Sequence, residues 1–200
     1  MKNRICVLFF MLLAANFAKG QNIEVLNYNI EIAGIKVGTA KAKSSLGANG
    51  EHIYHLVSNV DIDFIIFKLR LNYDVKSVFD KKYMQSSNVL AKSNKGTFYT
   101  KTHQSGQGYK IDSEQKDGKV NKYLDGLAES SSSSLYFHEP IGIHQVYAEY
   151  YGDFIKIKRI REGVYEGELG KNKDVYYYQN HKLVKVVKKN PIKDFVFILN

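Results

Sequence analysis

An alternation of apolar and polar side chains with a period of two residues constrains the fold of this chain more than any other feature. In residues 26–32, Leu, Tyr and Ile alternate with Asn and Glu, and residues 69–79 follow the same pattern. Successive side chains of a β-strand point to opposite faces, so this period puts the apolar set on one face. Both segments are predicted to be half-buried strands.

Further segments with weaker alternation contain residues that favour strands and are also predicted to be strands. They are 83–93, 97–104, 109–115, 119–124, 154–161, 164–169, 175–179, 182–188 and 195–199. Between the predicted strands, the pairs Asn49-Gly50 and Asp117-Gly118 supply the positive φ angles of tight hairpins. Because short turns join neighbouring strands, the sequence predicts an all-β antiparallel meander that curls to hide its edges.

The N-terminal residues have the pattern of a secretory signal peptide. Basic Lys2 and Arg4 precede an apolar run at 5–15, and Ala18-Lys19-Gly20 fits a cleavage site with small residues. Residues 1–20 are therefore predicted to be a signal peptide and residues 21–200 a single β domain. The chain's one cysteine lies in the predicted signal peptide, so the mature protein is expected to be soluble, free of disulfides, and periplasmic or secreted.

Charge and composition argue against nucleic-acid binding and against a membrane-spanning barrel. The net charge of +9 favours attraction to anionic surfaces. Because the protein is expected to leave the cytoplasm, we expect those surfaces to be envelope surfaces rather than nucleic acid. An outer-membrane barrel needs an outward apolar band in every strand. The predicted strands 83–93 and 97–104 are polar on both faces, so the protein is predicted not to span a membrane.

Residues capable of catalysis or metal binding cluster in one segment. They are His138, Glu139, His144 and Glu149. Proline and glycine between the histidines exclude the helical two-histidine zinc motif, and the sequence has no nucleophile elbow or glycine-rich phosphate loop. We therefore predict no catalytic residue, no metal and no cofactor, and these side chains are interpreted as loop residues that bond to nearby backbone.

The alternation fails in two places. The first is the consecutive apolar run Phe64, Ile65, Ile66 and Phe67. The second is 127–151, where serines 130–134 lead into Leu135, Tyr136 and Phe137 and then into a proline. This second region is predicted to form a short helix or lid that crosses one end of the sheet.

Each of these two places has more apolar surface than a one-sided strand can bury. The sequence therefore predicts that the two segments, 64–67 and 135–137, form one apolar rim that contacts a ligand. An alternative interpretation of 64–67 is a buried strand with both faces covered.

Several short segments together resemble a known family. They are LNYNI at 26–30, GIKVG at 34–38, SSLYF at 133–137, EPIG at 139–142, VYAE at 146–149 and YYYQN at 176–180. Through them the chain resembles a family of exported bacterial β-rich proteins of unknown function. The resemblance implies a curved, incompletely closed antiparallel barrel and supplies no catalytic residues. More distantly, the layout is similar to periplasmic lipoprotein carriers, whose open barrels hold acyl chains.

Three functions follow as hypotheses. The leading one is a non-enzymatic protein that binds a hydrophobic or amphiphilic, lipid-like ligand, which a cavity of several hundred cubic ångströms would favour. The alternative is an envelope structural or interaction protein that meets a protein partner through its surface, which an interior filled by tyrosines would favour. The third, a metal-dependent hydrolase, requires the side chains of 138–149 to meet in a cleft.

Overall fold

The computed structural model describes residues 23–64, 67–189 and 193–200 and has an all-β architecture. The first eight strands are β1 (Glu24–Ile32), β2 (Ile35–Leu46), β3 (His52–Phe64), β4 (Phe67–Asp80), β5 (Tyr83–Ser93), β6 (Gly96–Ser105), β7 (Gly108–Gln115) and β8 (Gly118–Asp125). The others are β9 (Gln145–Ala148), β10 (Asp153–Arg161), β11 (Val164–Leu169), β12 (Asn172–Gln179), β13 (Lys182–Lys188) and β14 (Phe195–Leu199). The predicted segments all correspond to strands, whereas β2, β3 and β9 were not predicted.

All fourteen strands belong to one sheet, in the order β8-β7-β6-β5-β4-β3-β2-β1-β14-β13-β12-β11-β10-β9. Every neighbouring pair is antiparallel, and β1 pairs with β14, so the two ends of the chain meet in the middle of the sheet. The edges are β8 and β9, which are consecutive in the chain. The predicted antiparallel meander is confirmed, and the sheet is not closed.

Contacts between strands far apart in the sheet show that it curls. Thr102 on β6 and Tyr147 on β9 lie near opposite ends of the strand order, yet their Oγ1 and Oη atoms are 2.7 Å apart. Thr100 donates from Oγ1 to the carbonyl oxygen of Tyr150 over 2.8 Å. The β9 end of the sheet therefore lies against the inner face of β6.

The connection between β8 and β9 differs from the prediction. In place of a helix or lid, the described residues of this region contain one turn of 3-10 helix, Ser134–Tyr136. The preceding serines run beside β9: Tyr147 N donates to Ser130 O, and Ser132 N donates to Tyr147 O, both at 2.9 Å. The physical reason is that edge strand β9 needs backbone partners, while serine hydroxyls bond to local backbone and favour turns over helix.

The predicted hairpin tips are in place. Asn49 and Gly50 lie in the turn between β2 and β3, and Asp117 and Gly118 lie where β7 turns into β8. In the described residues, no helix has the length and apolar character needed to cross a membrane.

The two halves of the sheet bury different kinds of side chain. Strands β2–β7 contribute buried Ala, Ser and Thr residues, which we call the small-residue wall: Ala40, Ala42, Ser58, Ser77, Ser87, Ala91, Thr100, Thr102 and Ser113. Strands β9–β12 contribute buried tyrosines, which we call the tyrosine wall: Tyr147, Tyr165, Tyr176 and Tyr178. Strands β3–β7 also bury large side chains, among them Tyr54, Phe79, Met84 and Tyr109. The interior is therefore filled by rings from both halves of the sheet, and the small buried residues are concentrated on β2–β7.

Candidate functional site

A carboxylate lies deep inside the curled sheet. Glu149 directly follows β9 and is 1% exposed. Its Oε1 accepts hydrogen bonds from Ser77 Oγ of β4 at 2.8 Å and from Ser133 N at 3.0 Å. A buried carboxylate is costly unless donors compensate for the lost water, and these two donors come from strand β4 and from the serine run.

The serine run forms the support of this carboxylate. Ser133 donates from Oγ to Ser77 Oγ over 3.1 Å, and the Oγ atoms of Ser130 and Ser134 are 2.9 Å apart. Ser134 Oγ also donates to Ser131 O at 2.9 Å. The run is therefore a buried hydrogen-bond network that fixes the position of Glu149.

An ion pair faces the same interior from the tyrosine wall. Asp174 on β12 and Lys188 on β13 are cross-strand partners, and Lys188 Nζ lies 2.7 Å from Asp174 Oδ2. Loss of hydration alone would lower the pKa of Lys188, but the adjacent Asp174 carboxylate holds that pKa well above its usual range. The Lys188 side chain is still 41% exposed, so solvent reaches this pair.

A phenol is left without a partner beside these charges. The Tyr136 hydroxyl is buried and has no hydrogen-bond partner among the described residues. Burial raises the pKa of Tyr136 to about 12, and the charged groups that act on it are Lys188, Asp174 and Glu149. A buried polar group without a partner costs about 1–3 kcal/mol, so in a native structure it points to a bound water or ligand.

The charged groups, but not the Tyr136 hydroxyl, border a cavity of about 80 Å³, which we call the interior polar pocket. Glu149, Asp174 and Lys188 line it together with the rings of Tyr73, Tyr150 and Tyr151. The remaining lining residues are Ser132, Ala148, Ile155, Gly167 and Leu169. The ring centroids of Tyr73 and Tyr150 lie 6.3 Å apart, and those of Tyr150 and Tyr151 lie 5.2 Å apart.

The residues of the predicted apolar rim have different positions. Leu135 and Tyr136 are buried in the main core, and Phe137 is half-buried with its ring 5.8 Å from that of Tyr54. Phe64 ends β3 and Phe67 begins β4, and the two residues are partners in the β3–β4 ladder. Ile65 and Ile66, and the side chains of Phe64 and Phe67, lie outside the described residues, as does the predicted signal peptide. The rim therefore stays a prediction.

The candidate metal and catalytic residues of 138–149 have separate partners. His138 Nε2 lies 2.9 Å from Tyr54 Oη. Glu139 accepts from Tyr165 Oη at 2.8 Å and pairs with His181 Nδ1 at 2.7 Å, beside a surface groove of about 270 Å³. Among the residues that the structure describes, no three His, Asp or Glu side chains are grouped so that they could hold a metal.

The geometry defines a class of protein: an open, curled antiparallel sheet with a polar pocket in its interior.

The chain belongs to the family described as "Domain of unknown function (DUF6134)", whose model matches residues 28–200. It is similar in fold to the β-barrel-like protein of domain of unknown function DUF1849 from Brucella abortus, with a TM-score of 0.55 and 10% identity. That similarity covers 88% of this chain and 95% of the other. None of the curated proteins matches the chain. The predicted membership of a β-rich family of unknown function is confirmed.

Proposed function

We propose that this protein is an exported, non-enzymatic binding protein that holds the polar end of an amphiphilic ligand in the interior polar pocket. One observation carries the proposal: the buried Glu149 carboxylate, the Asp174–Lys188 ion pair and the rings of three tyrosines line one cavity inside the curled sheet. Binding sites for small molecules have this character, with a few polar groups aimed at one concave space.

The size of the pocket limits what enters it. A water molecule needs roughly 10–15 Å³ of such volume, so about 80 Å³ accommodates roughly five to eight atoms of that size. This volume fits a head group and excludes an acyl chain. The apolar part of the ligand must therefore lie outside the interior polar pocket.

Strand β4 offers a path for that apolar part. Leu69, Leu71 and Tyr73 occupy alternate positions of β4, pack against the main core and are only half-buried. With a rise of about 3.3 Å per residue, Phe67 lies roughly 20 Å along the strand from Tyr73. In this proposal the apolar part follows β4 towards the 64–67 hairpin, where the predicted rim residues would contact its end.

A surface-acting envelope protein is the second candidate. Two observations favour it: buried side chains, many of them aromatic, fill much of the interior, and edge strand β8 exposes apolar side chains, with Val120 45% and Tyr123 50% exposed. A sheet edge can add a strand from a partner protein. In this case the protein would act as a structural or interaction component and would not need the pocket.

The test is binding of amphiphiles with matched tails and different head groups to the purified mature protein, measured by native mass spectrometry and by titration calorimetry. We expect saturable one-to-one binding that weakens when the tail is shortened. Leu71→Ser, which makes the β4 path polar, should weaken binding with the fold intact, and Tyr123→Ser on the β8 edge is the matched control.

Absence of binding by any amphiphile would reject the proposal and leave the surface-acting candidate. Export is tested separately by N-terminal sequencing of the protein from its own host, where a mature start at Gln21 is expected. A start at Met1 would contradict it.

A further inference from the structure

We infer that the interior polar pocket is built for a primary ammonium group, so that the polar end of the ligand is cationic. The inference rests on the proposed function for the role of the ligand's tail, but the ammonium site is argued from the pocket alone.

The charges that line the pocket sum to a single negative charge. Asp174 and Lys188 neutralise each other at 2.7 Å, and the lining contains one further charged side chain, that of Glu149. Its Oε1 accepts two hydrogen bonds, whereas no described residue donates to Oε2. Glu149 therefore offers the pocket an uncompensated carboxylate oxygen, and a cation is the natural counter-charge for it.

The aromatic lining favours the same sign of charge. Tyr73, Tyr150 and Tyr151 surround the cavity, and the face of a phenol ring attracts an ammonium group. An anion would lose its hydration and gain no such compensation. It would also compete with Asp174 for Lys188 and would lie near Glu149.

Hydrogen bonding distinguishes a primary ammonium from a quaternary one. An ammonium group with three N–H donors can bond to Glu149 Oε2, which lacks a donor among the described residues. A quaternary group has no N–H and cannot donate to that oxygen. The volume of about 80 Å³ accommodates –NH₃⁺ with a few methylene groups.

The experiment uses dodecylamine, dodecanoate and dodecyltrimethylammonium at neutral pH, below their aggregation concentrations, and the short probes butylamine and butanoate. We expect dodecylamine to bind at least tenfold more tightly than dodecanoate, and more tightly than the quaternary analogue. The net charge of the chain, +9, disfavours general attraction of amines to the surface, so this preference would report the pocket.

Variants then locate the site. Glu149→Gln keeps the size of the side chain and should weaken dodecylamine binding at least tenfold. Lys188→Met leaves Asp174 uncompensated and should strengthen it. Glu139→Gln removes a carboxylate from the same connecting region, outside the pocket, and should leave the affinity unchanged. Circular dichroism melting checks each fold, and Lys188→Met alone decides the direction if Glu149→Gln does not fold.

The outcomes separate the two proposals. Preference for dodecanoate, or equal affinity for the two amphiphiles, would overturn the ammonium assignment and leave the binding function standing. Weaker dodecylamine binding by Lys188→Met would also overturn the assignment. Binding of butylamine with no gain from the dodecyl tail would support the ammonium site and reject the tail path along β4. If no probe binds, both proposals fall.

Discussion

The small-residue wall and the tyrosine wall of the curled sheet differ in the size of the side chains that name them. The small-residue wall presents Ala, Ser and Thr, and the tyrosine wall presents large rings. Thr102 on one wall meets Tyr147 on the other at 2.7 Å. The contact shows how one antiparallel sheet folds over itself: here a small residue leaves room for a large ring, whereas two small residues would leave a void.

The largest expected effect is on the tyrosine wall. Tyr147 is fully buried, and its ring packs on Tyr109 and Phe154 at centroid distances of 5.4 and 5.7 Å. Tyr147→Ala should lower the free energy of unfolding by about 3–5 kcal/mol, because it leaves a cavity that the small-residue wall cannot fill. Urea denaturation measures this, with Tyr151→Ala, at a 47% exposed position, as the control. Similar losses for the two variants would show that Tyr147 does not fill the interior.

The converse change tests the small-residue wall. Ala42 is 1% exposed on β2 and lies in the main core, whereas neighbouring Lys41 points outwards. Ala42→Leu should destabilise the protein by about 1–3 kcal/mol through overpacking, while Lys41→Leu should change stability by less than about 0.5 kcal/mol. A neutral or stabilising Ala42→Leu would mean that unfilled space remains along this wall. That result would support the hypothesis of a larger apolar cavity.

The next comparison is between two buried phenols, Tyr28 and Tyr136. Tyr28 Oη donates to Leu183 O at 2.9 Å, whereas Tyr136 Oη has no partner in the described part of the chain. Tyr28→Phe should cost about 0.5–1.5 kcal/mol, and Tyr136→Phe should be neutral or stabilising because it removes an unsatisfied group. Thermal melts of the two variants, side by side, measure the difference. An equal loss in both would mean that Tyr136 already has a partner.

The smallest expected effect concerns pH. Burial, followed by the nearby His52, lowers the pKa of His138, whose ring bonds to Tyr54 on β3. The unfolded chain, with a histidine pKa of about 6.5, then binds more protons than the folded one, so stability is lost as the pH falls below about 6.5. His138→Gln should reduce this loss of stability at acidic pH, as measured by urea denaturation at a series of pH values. An unchanged slope would assign the acid sensitivity to other groups.

Strand positions were predictable where large apolar residues alternate. The predicted bounds of β5, β11, β13 and β14 agree with the structure residue for residue. β2 was missed because its buried positions hold alanines such as Ala40, which carry little apolar contrast with the lysines between them. β9 was missed because it has only four residues, too few for a period to show.

The pocket was not predictable because its parts come from distant positions in the chain. Ser77, Ser133 and Glu149 meet only because the sheet curls and the serine run enters its interior. The sequence does contain one signal of the pocket: Asp174 alternates with Tyr176 and Tyr178, which puts a charge on a buried face. A charged residue in phase with an aromatic stripe indicates either a buried ion pair or a site.

The seam between β1 and β14 has a consequence for how the chain acquires its structure. Tyr28 pairs with Leu199, so the central contact of the sheet joins residues separated by nearly the whole described chain, and closing so long a loop is slow. Every other pairing of neighbouring strands joins consecutive strands and can form locally as each hairpin emerges. Without the β1–β14 pairing, the sheet would divide into two ribbons, β1–β8 and β9–β14, each with an additional unpaired edge that could pair with another chain.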